Sequence, residues 1–247
     1  MLISVPELLT TTITLYWQNF RLIMRYLGLS LIIWILLALN STIARESLTK
    51  WFGQIPGEIT IIIAQILLLG AFVIATITLN RVLVKRYNGL ETTTLHNEIK
   101  AAYHLFWPFL GISFLAGIIV FGGSLLLIIP GAIFAVWYYF APYEVMLDNA
   151  KVFESLRLSK KLVTGRWGAV LWRLGLPIVI YIAFFSTINW FILTPGKLFL
   201  MSTGSSGAYW LSIALAIIFY FFFVPIITIT PIILYENLKK NPVQIRE

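Results

Sequence analysis

The sequence has no cysteine, and only 11% of its 247 residues are charged. The first absence excludes disulfides, thiolate metal sites and cysteine nucleophiles. The second excludes an ordinary water-facing fold, because a soluble domain of this length carries roughly a quarter charged residues. Acidic residues are the scarcer sign, 10 against 18 basic. The two histidines, His96 and His104, lie two helical turns apart rather than at the i, i+4 spacing of a zinc-binding pair, and only Glu98 stands near them. No Ser/His/Asp set, paired intramembrane carboxylates or Gly-rich phosphate loop is visible. The expectation is a protein without enzymatic activity, metal or cofactor.

What the chain has in abundance is apolar sequence, 60% of its residues. Windows of about 20 apolar residues, the length that crosses a hydrocarbon core roughly 30 Å thick, recur from end to end. They predict an all-α integral membrane protein forming a single transmembrane domain over 1–247. Six spans are expected at about 26–44, 59–80, 106–128, 131–147, 174–194 and 208–235. The first apolar run follows Arg21 and Arg25 and reads as a retained helix rather than a secretory signal.

Basic residues orient the spans. One side receives Arg21 and Arg25; then Arg81, Lys85, Arg86 and Lys100; then Lys151, Arg157, Lys160, Lys161, Arg166 and Arg173; and finally Lys239, Lys240 and Arg246. The other side holds only Arg45, Lys50 and Lys197. This split of 15 to 3 predicts both termini in the cytoplasm and residence in the cytoplasmic (inner) membrane. A net charge of +8 arranged between spans fits anionic lipid as partner, not nucleic acid.

Entry, outer-turn and exit markers recur in the same order, the exits at Leu79-Asn80-Arg81, Asp148-Asn149-Ala150-Lys151 and Glu236-Asn237-Leu238-Lys239, defining degenerate repeats at about 4–80, 91–147 and 149–236. The entries are Leu27-Gly28-Leu29-Ser30, Leu110-Gly111-Ile112-Ser113 and Leu174-Gly175-Leu176-Pro177. Outer turns are expected at Pro56-Gly57, Pro130-Gly131 and Pro195-Gly196, because proline cannot continue a preceding helix and glycine accepts positive φ. The layout is three hairpins, each preceded by a cytoplasmic amphipathic helix lying at the interface. The expected apolar faces are Leu9, Ile13, Tyr16 and Phe20; Leu95, Ile99, Ala102 and Phe106, with Glu98 off the face; and Val152, Leu156, Val163 and Trp167. Ser4 and Glu7, flanking Pro6, predict a capping box for the first.

The third amphipathic helix is the most basic. Arg157, Lys160, Lys161 and Arg166 are therefore the candidate lipid-headgroup residues. Glu144 is the one acidic residue placed inside a span, two residues after Pro142. It is the candidate intramembrane functional acid, against the plainer expectation of a pair with a basic residue such as Arg166.

The stretch Ile129-Pro130-Gly131, Tyr138-Tyr139-Phe140-Ala141-Pro142, Glu154 to Ser159 and Thr164-Gly165-Arg166-Trp167 resembles a bacterial family signature. That family is the membrane domain of glycerophosphoryl diester phosphodiesterases, which includes stand-alone polytopic relatives of unknown function without the catalytic barrel. The resemblance implies a multi-span membrane fold. It does not imply hydrolase activity, which resides in a separate soluble barrel. The leading expectation is a non-enzymatic module engaging anionic headgroups, a partner membrane protein or a second copy of itself. The alternative is a transporter or channel-like protein for a lipid or small apolar solute.

Overall fold

The computed structural model describes residues 2–39, 50–51, 53–204 and 207–242. Its regular elements there are all α-helices: α1 (Val5–Gln18), α2 (Phe20–Leu39), α3 (Gln54–Tyr87), α4 (Leu95–His104), α5 (Phe106–Leu126), α6 (Ile128–Tyr138), α7 (Ala141–Asp148), α8 (Val152–Val163), α9 (Trp167–Thr203) and α10 (Gly207–Lys240). Four of them, α3, α5, α9 and α10, are long and apolar enough to cross a membrane. Only 11–17% of the most apolar stretch of each is buried in protein. Side chains such as Ile66, Phe121, Phe191 and Leu215 stand exposed, which in water would be a large penalty at about 25 cal/mol per Å². This is a multi-pass helical membrane protein.

The four account for the expected spans at 59–80, 106–128, 174–194 and 208–235. α2 covers the beginning of the expected 26–44 span, of which residues 40–44 lie outside the described residues. The expected 131–147 span is two short helices, α6 and α7, separated at Tyr139-Phe140. Pro142 supplies the reason: it offers no N–H to the carbonyl of Tyr138, and its ring crowds that carbonyl.

The Pro-Gly pairs also sit differently from expectation. Pro56-Gly57 and Pro130-Gly131 lie in the first turns of α3 and α6, and Pro195-Gly196 lies inside α9. The chain instead turns at Gly53 (φ +83), at the extended Leu127 and at Gly204 (φ +70). Proline is accepted in a first helical turn, where its missing N–H has no partner to lose, so the pair opens a helix as readily as it follows one. Gly131 and Gly196 serve close packing. A Cβ on Gly131 would fall 2.1 Å from Ser124 Oγ, and one on Gly196 would fall 2.2 Å from Ser212 Oγ.

The chain divides into two compact units. The first comprises Met1–Gln18, Ile118–Phe140 and Arg157–Glu247. In it α9 and α10 run antiparallel, as the contacts Tyr181 with Phe223, Phe184 with Phe219 and Gly196 with Ser212 require. α10 changes character along its length. From 207 to 224 only Ser212 is buried, whereas Ile229 to Glu236 are all buried. At 1.5 Å per residue the exposed 18 residues measure about 27 Å, close to a hydrocarbon core.

α1 packs antiparallel along that buried half. Thr12 Oγ1 lies 3.3 Å from Thr230 Oγ1, which lies 3.0 Å from Tyr181 Oη. Tyr16 Oη donates to Phe222 O, three residues before Pro225. Ile3 is held at both ends of its backbone: its N–H donates to Asn237 Oδ1 and its carbonyl accepts Arg173 Nε. The expected capping box forms, with Glu7 N–H donating to Ser4 Oγ and Ser4 N–H to Glu7 Oε2. The buried face of α1, however, is Val5, Leu8, Thr12, Leu15 and Tyr16. Ile13, on the expected apolar face, is exposed. The polar hub at Thr12 sets the rotation of the helix, and hydrophobic spacing alone does not reveal it.

The second unit comprises Asn19–Gly117 and Ala141–Leu156. Ile77, Ala102, Leu105 and Met146 form its core, and Arg81 Nη1 donates to Met146 O in the last turn of α7 at 2.6 Å. Glu98, expected off the apolar face of α4, is buried, and Leu95, expected on it, is exposed. The reason is an ion pair: Lys85 Nζ meets Glu98 Oε1 at 2.6 Å, and the same oxygen accepts the Thr93 hydroxyl at 2.7 Å. Burial alone would push the Glu98 carboxyl up, but the hydrogen bonds from Lys85 and Thr93 and the Lys85 charge outweigh it and hold the pKa below the ordinary carboxylate value.

Two predictions follow from this packing. Gly196→Ala lowers the thermal midpoint in detergent, by tryptophan fluorescence, at an overpacking cost of about 1–3 kcal/mol, and Ser212→Gly restores part of the loss. For Glu98 the folded pKa is depressed, so its stabilisation is complete above the unfolded carboxylate value of about 4.3 and is lost as pH falls through the folded one. Glu98→Gln therefore unfolds at a lower temperature than wild type at neutral pH, and the gap narrows on acidification; a constant gap would refute the assignment.

Candidate functional site

The basic helix α8 forms for local reasons. Glu154 sits in its first turn and Lys160 and Lys161 in its last, matching the sign of the helix dipole at each end. Gly165, at φ +81, turns the chain in the left-handed region that glycine accepts. Val163 is buried and Val152, Leu156 and Trp167 are half-buried, so the expected apolar stripe is the inward face. Ser155 and Ser159 lie buried on it as well. Ser159 Oγ donates to Trp137 O at 2.6 Å, a carbonyl in the last turn of α6 that has no partner within its own helix.

Arg157, Lys160 and Lys161 are exposed. Lys160 Nζ stands 4.4 Å from the centroid of the Trp137 ring, a cation–π contact that keeps the ammonium placed while leaving it solvated. Arg166, expected on the same basic surface, is half-buried and has a different part. Its Nε donates to Leu162 O at 2.8 Å, its Nη2 to Leu238 O at 2.9 Å and its Nη1 to Asn241 O. These acceptors close the ends of α8 and α10, where carbonyls lack intrahelical donors. Burial pushes the guanidinium pKa below its ordinary value. Next along the chain, Trp167 Nε1 donates to Ile133 O at 3.4 Å. Ser159, Arg166 and Trp167 thus tie the start of α9 to α6 and to the end of α10.

Lys160, Lys161 and Arg166 belong to the first unit and Glu144 to the second. Glu144 is buried in α7, and its carbonyl accepts the N–H of Ala150. Sequence reasoning did not single out Trp137, Lys239 or Lys240 for this surface. The recurrence of Lys-Lys in two last helical turns was an available signal, but the meeting of those turns depends on Arg166 reaching across 72 residues. Among the described residues, no group of three His, Asp or Glu side chains converges as a metal site.

No family model, curated protein or solved structure matches the chain.

Arg166→Lys keeps the charge but cannot span three carbonyls with a planar fork. The variant should unfold about 1.5–3 kcal/mol more easily, the range for a hydrogen bond to a charged group. Wild-type stability of this variant would show that the caps contribute little.

Proposed function

We propose that this protein is a non-enzymatic membrane module that engages anionic lipid headgroups through its basic cytoplasmic helix α8. In this reading the chain makes six spans in three hairpins, with both ends at the cytoplasmic face of the inner membrane. The 15-to-3 partition of basic residues supports that orientation. The observation carrying the lipid reading is the division of α8: Ser155, Ser159 and Val163 are buried, while Arg157, Lys160 and Lys161 are exposed. Such a helix lies at the headgroup level with its cations toward phosphate. Arg166 acts from below, fixing the helix end that carries the lysines. The same exposed surface suits a partner membrane protein or a second copy of the chain, and the resemblance to the diesterase membrane domain agrees with a module that has no active site of its own.

Each Lys or Arg near an anionic bilayer contributes about 1 kcal/mol. Replacing Arg157, Lys160 and Lys161 together by Gln should therefore reduce retention of phosphatidylglycerol by at least about tenfold, read by native mass spectrometry from mixed micelles. Retention equal to wild type would refute the reading.

A further inference from the structure

The two histidines, wrongly spaced for a zinc pair, share one exposed face of α4. His96, Lys100 and His104 follow at i, i+4 and i+8, with Tyr103 at i+7, and all four side chains are exposed. The buried residues of the helix are Glu98 and Ala102. His104 ends α4, and α5, long and apolar enough to cross a membrane, begins two residues later at Phe106. The histidine face therefore lies where the chain enters the bilayer. Tyr103 and Trp107, exposed by 63% and 75%, are residues of the type that settles at headgroup level, ring toward hydrocarbon and polar atom toward water.

The charges around this face are already committed or share its sign. Glu98 is taken by Lys85 and Thr93. On α3, Arg81 donates to Met146 O, and the exposed Arg86 donates to the Thr92 hydroxyl at 3.1 Å. On α7, Glu144 is buried and Asp148 is the last residue; Glu91 is exposed in the loop before α4. Among the described residues, none of His96, Lys100 and His104 takes part in an ion pair. Imidazole is the side chain that gains its charge between about pH 8 and pH 5. Acidification thus takes the face from one positive charge, that of Lys100, toward three.

We propose that the outer face of α4 binds anionic phospholipid headgroups and holds them more tightly as the pH falls. Lys100 supplies the constant charge and His96 and His104 the acid-dependent one, while Tyr103 and Trp107 set the depth. An imidazolium donates from both ring nitrogens, so a phosphate beside it stabilises the protonated form. The sign follows: the histidine contribution is absent above the histidine range and complete below it. This surface shares no residue with α8 and does not depend on the reading of that helix.

The test is native mass spectrometry of the full chain from mixed micelles of phosphatidylglycerol and phosphatidylcholine, at about pH 7.5 and about pH 5.5, either side of the histidine range. The preference of wild type for phosphatidylglycerol should rise at least about tenfold on acidification, since each cation near the anion gives about a fivefold gain. His96→Gln/His104→Gln should abolish the rise, with the thermal midpoint unchanged because both side chains are exposed. Lys100→Gln should lower the preference about fivefold at both pH values. Replacing Arg157, Lys160 and Lys161 by Gln should lower retention while leaving the fold-rise intact, which separates this surface from α8. A rise that survives in His96→Gln/His104→Gln overturns the proposal, and so does a wild-type preference that ignores pH, while the α8 reading stands in both cases. Retention of inorganic phosphate in place of lipid overturns the lipid assignment. Dimers that appear on acidification without a lipid gain give the face to a second copy and overturn it as well.

Discussion

A helix that ends at a membrane surface leaves its last carbonyls without donors, and in this protein arginine side chains meet that need. Arg166 serves the ends of α8 and α10 together, and Arg81 serves the end of α7. A guanidinium suits the task because its donors lie in one plane and its charge opposes the negative end of the helix dipole. The Arg166 contacts join the last turn of α8 to the last turn of α10. The basic residues that set the expected orientation are therefore of two kinds, some closing helix ends and others standing exposed.

The long helices are longer than a bilayer needs. α10 runs for 34 residues, about 51 Å at 1.5 Å per residue. Its exposed apolar part meets lipid, and the surplus is buried and carries Thr230, Glu236 and the two prolines. Apolar burial holds the inner part together, while in lipid, where no hydrophobic force drives helices together, close contact must come from small residues. Gly131 under Ser124 and Gly196 under Ser212 supply it. Both serines turn their hydroxyls to their own helices, donating to Val120 O and Ala208 O, so neither leaves an unpaired polar group at the crossing.

Much of this was legible in the sequence, for identifiable reasons. Four spans followed from composition, the Ser4–Glu7 capping box from a local motif, and the residues of the α8 stripe from periodicity, although the stripe packs on protein rather than on lipid alone. The misplaced features have long-range causes. Glu98 resembled a solvated charge because its partner, Lys85, is 13 residues away on another helix. The rotation of α1 follows from Thr230, 218 residues distant. The Pro-Gly pairs misled because a first helical turn and a loop accept proline equally. In the 129–167 stretch, Ser159, Gly165, Arg166 and Trp167 make a turn and its hydrogen bonds, so a structural joint accounts for the spacing of those residues.

The backbone of Ile3 is held by Asn237 and Arg173, 234 and 170 residues further along. During synthesis, α1 emerges with its capping box but without the helices it packs against. It must wait at the membrane surface, its Thr12 and Tyr16 hydroxyls facing water, until α10 has been inserted. Contacts so far apart in sequence are slow to form, so α1 reaches its place only after the helices that hold it, α9 and α10, have reached theirs.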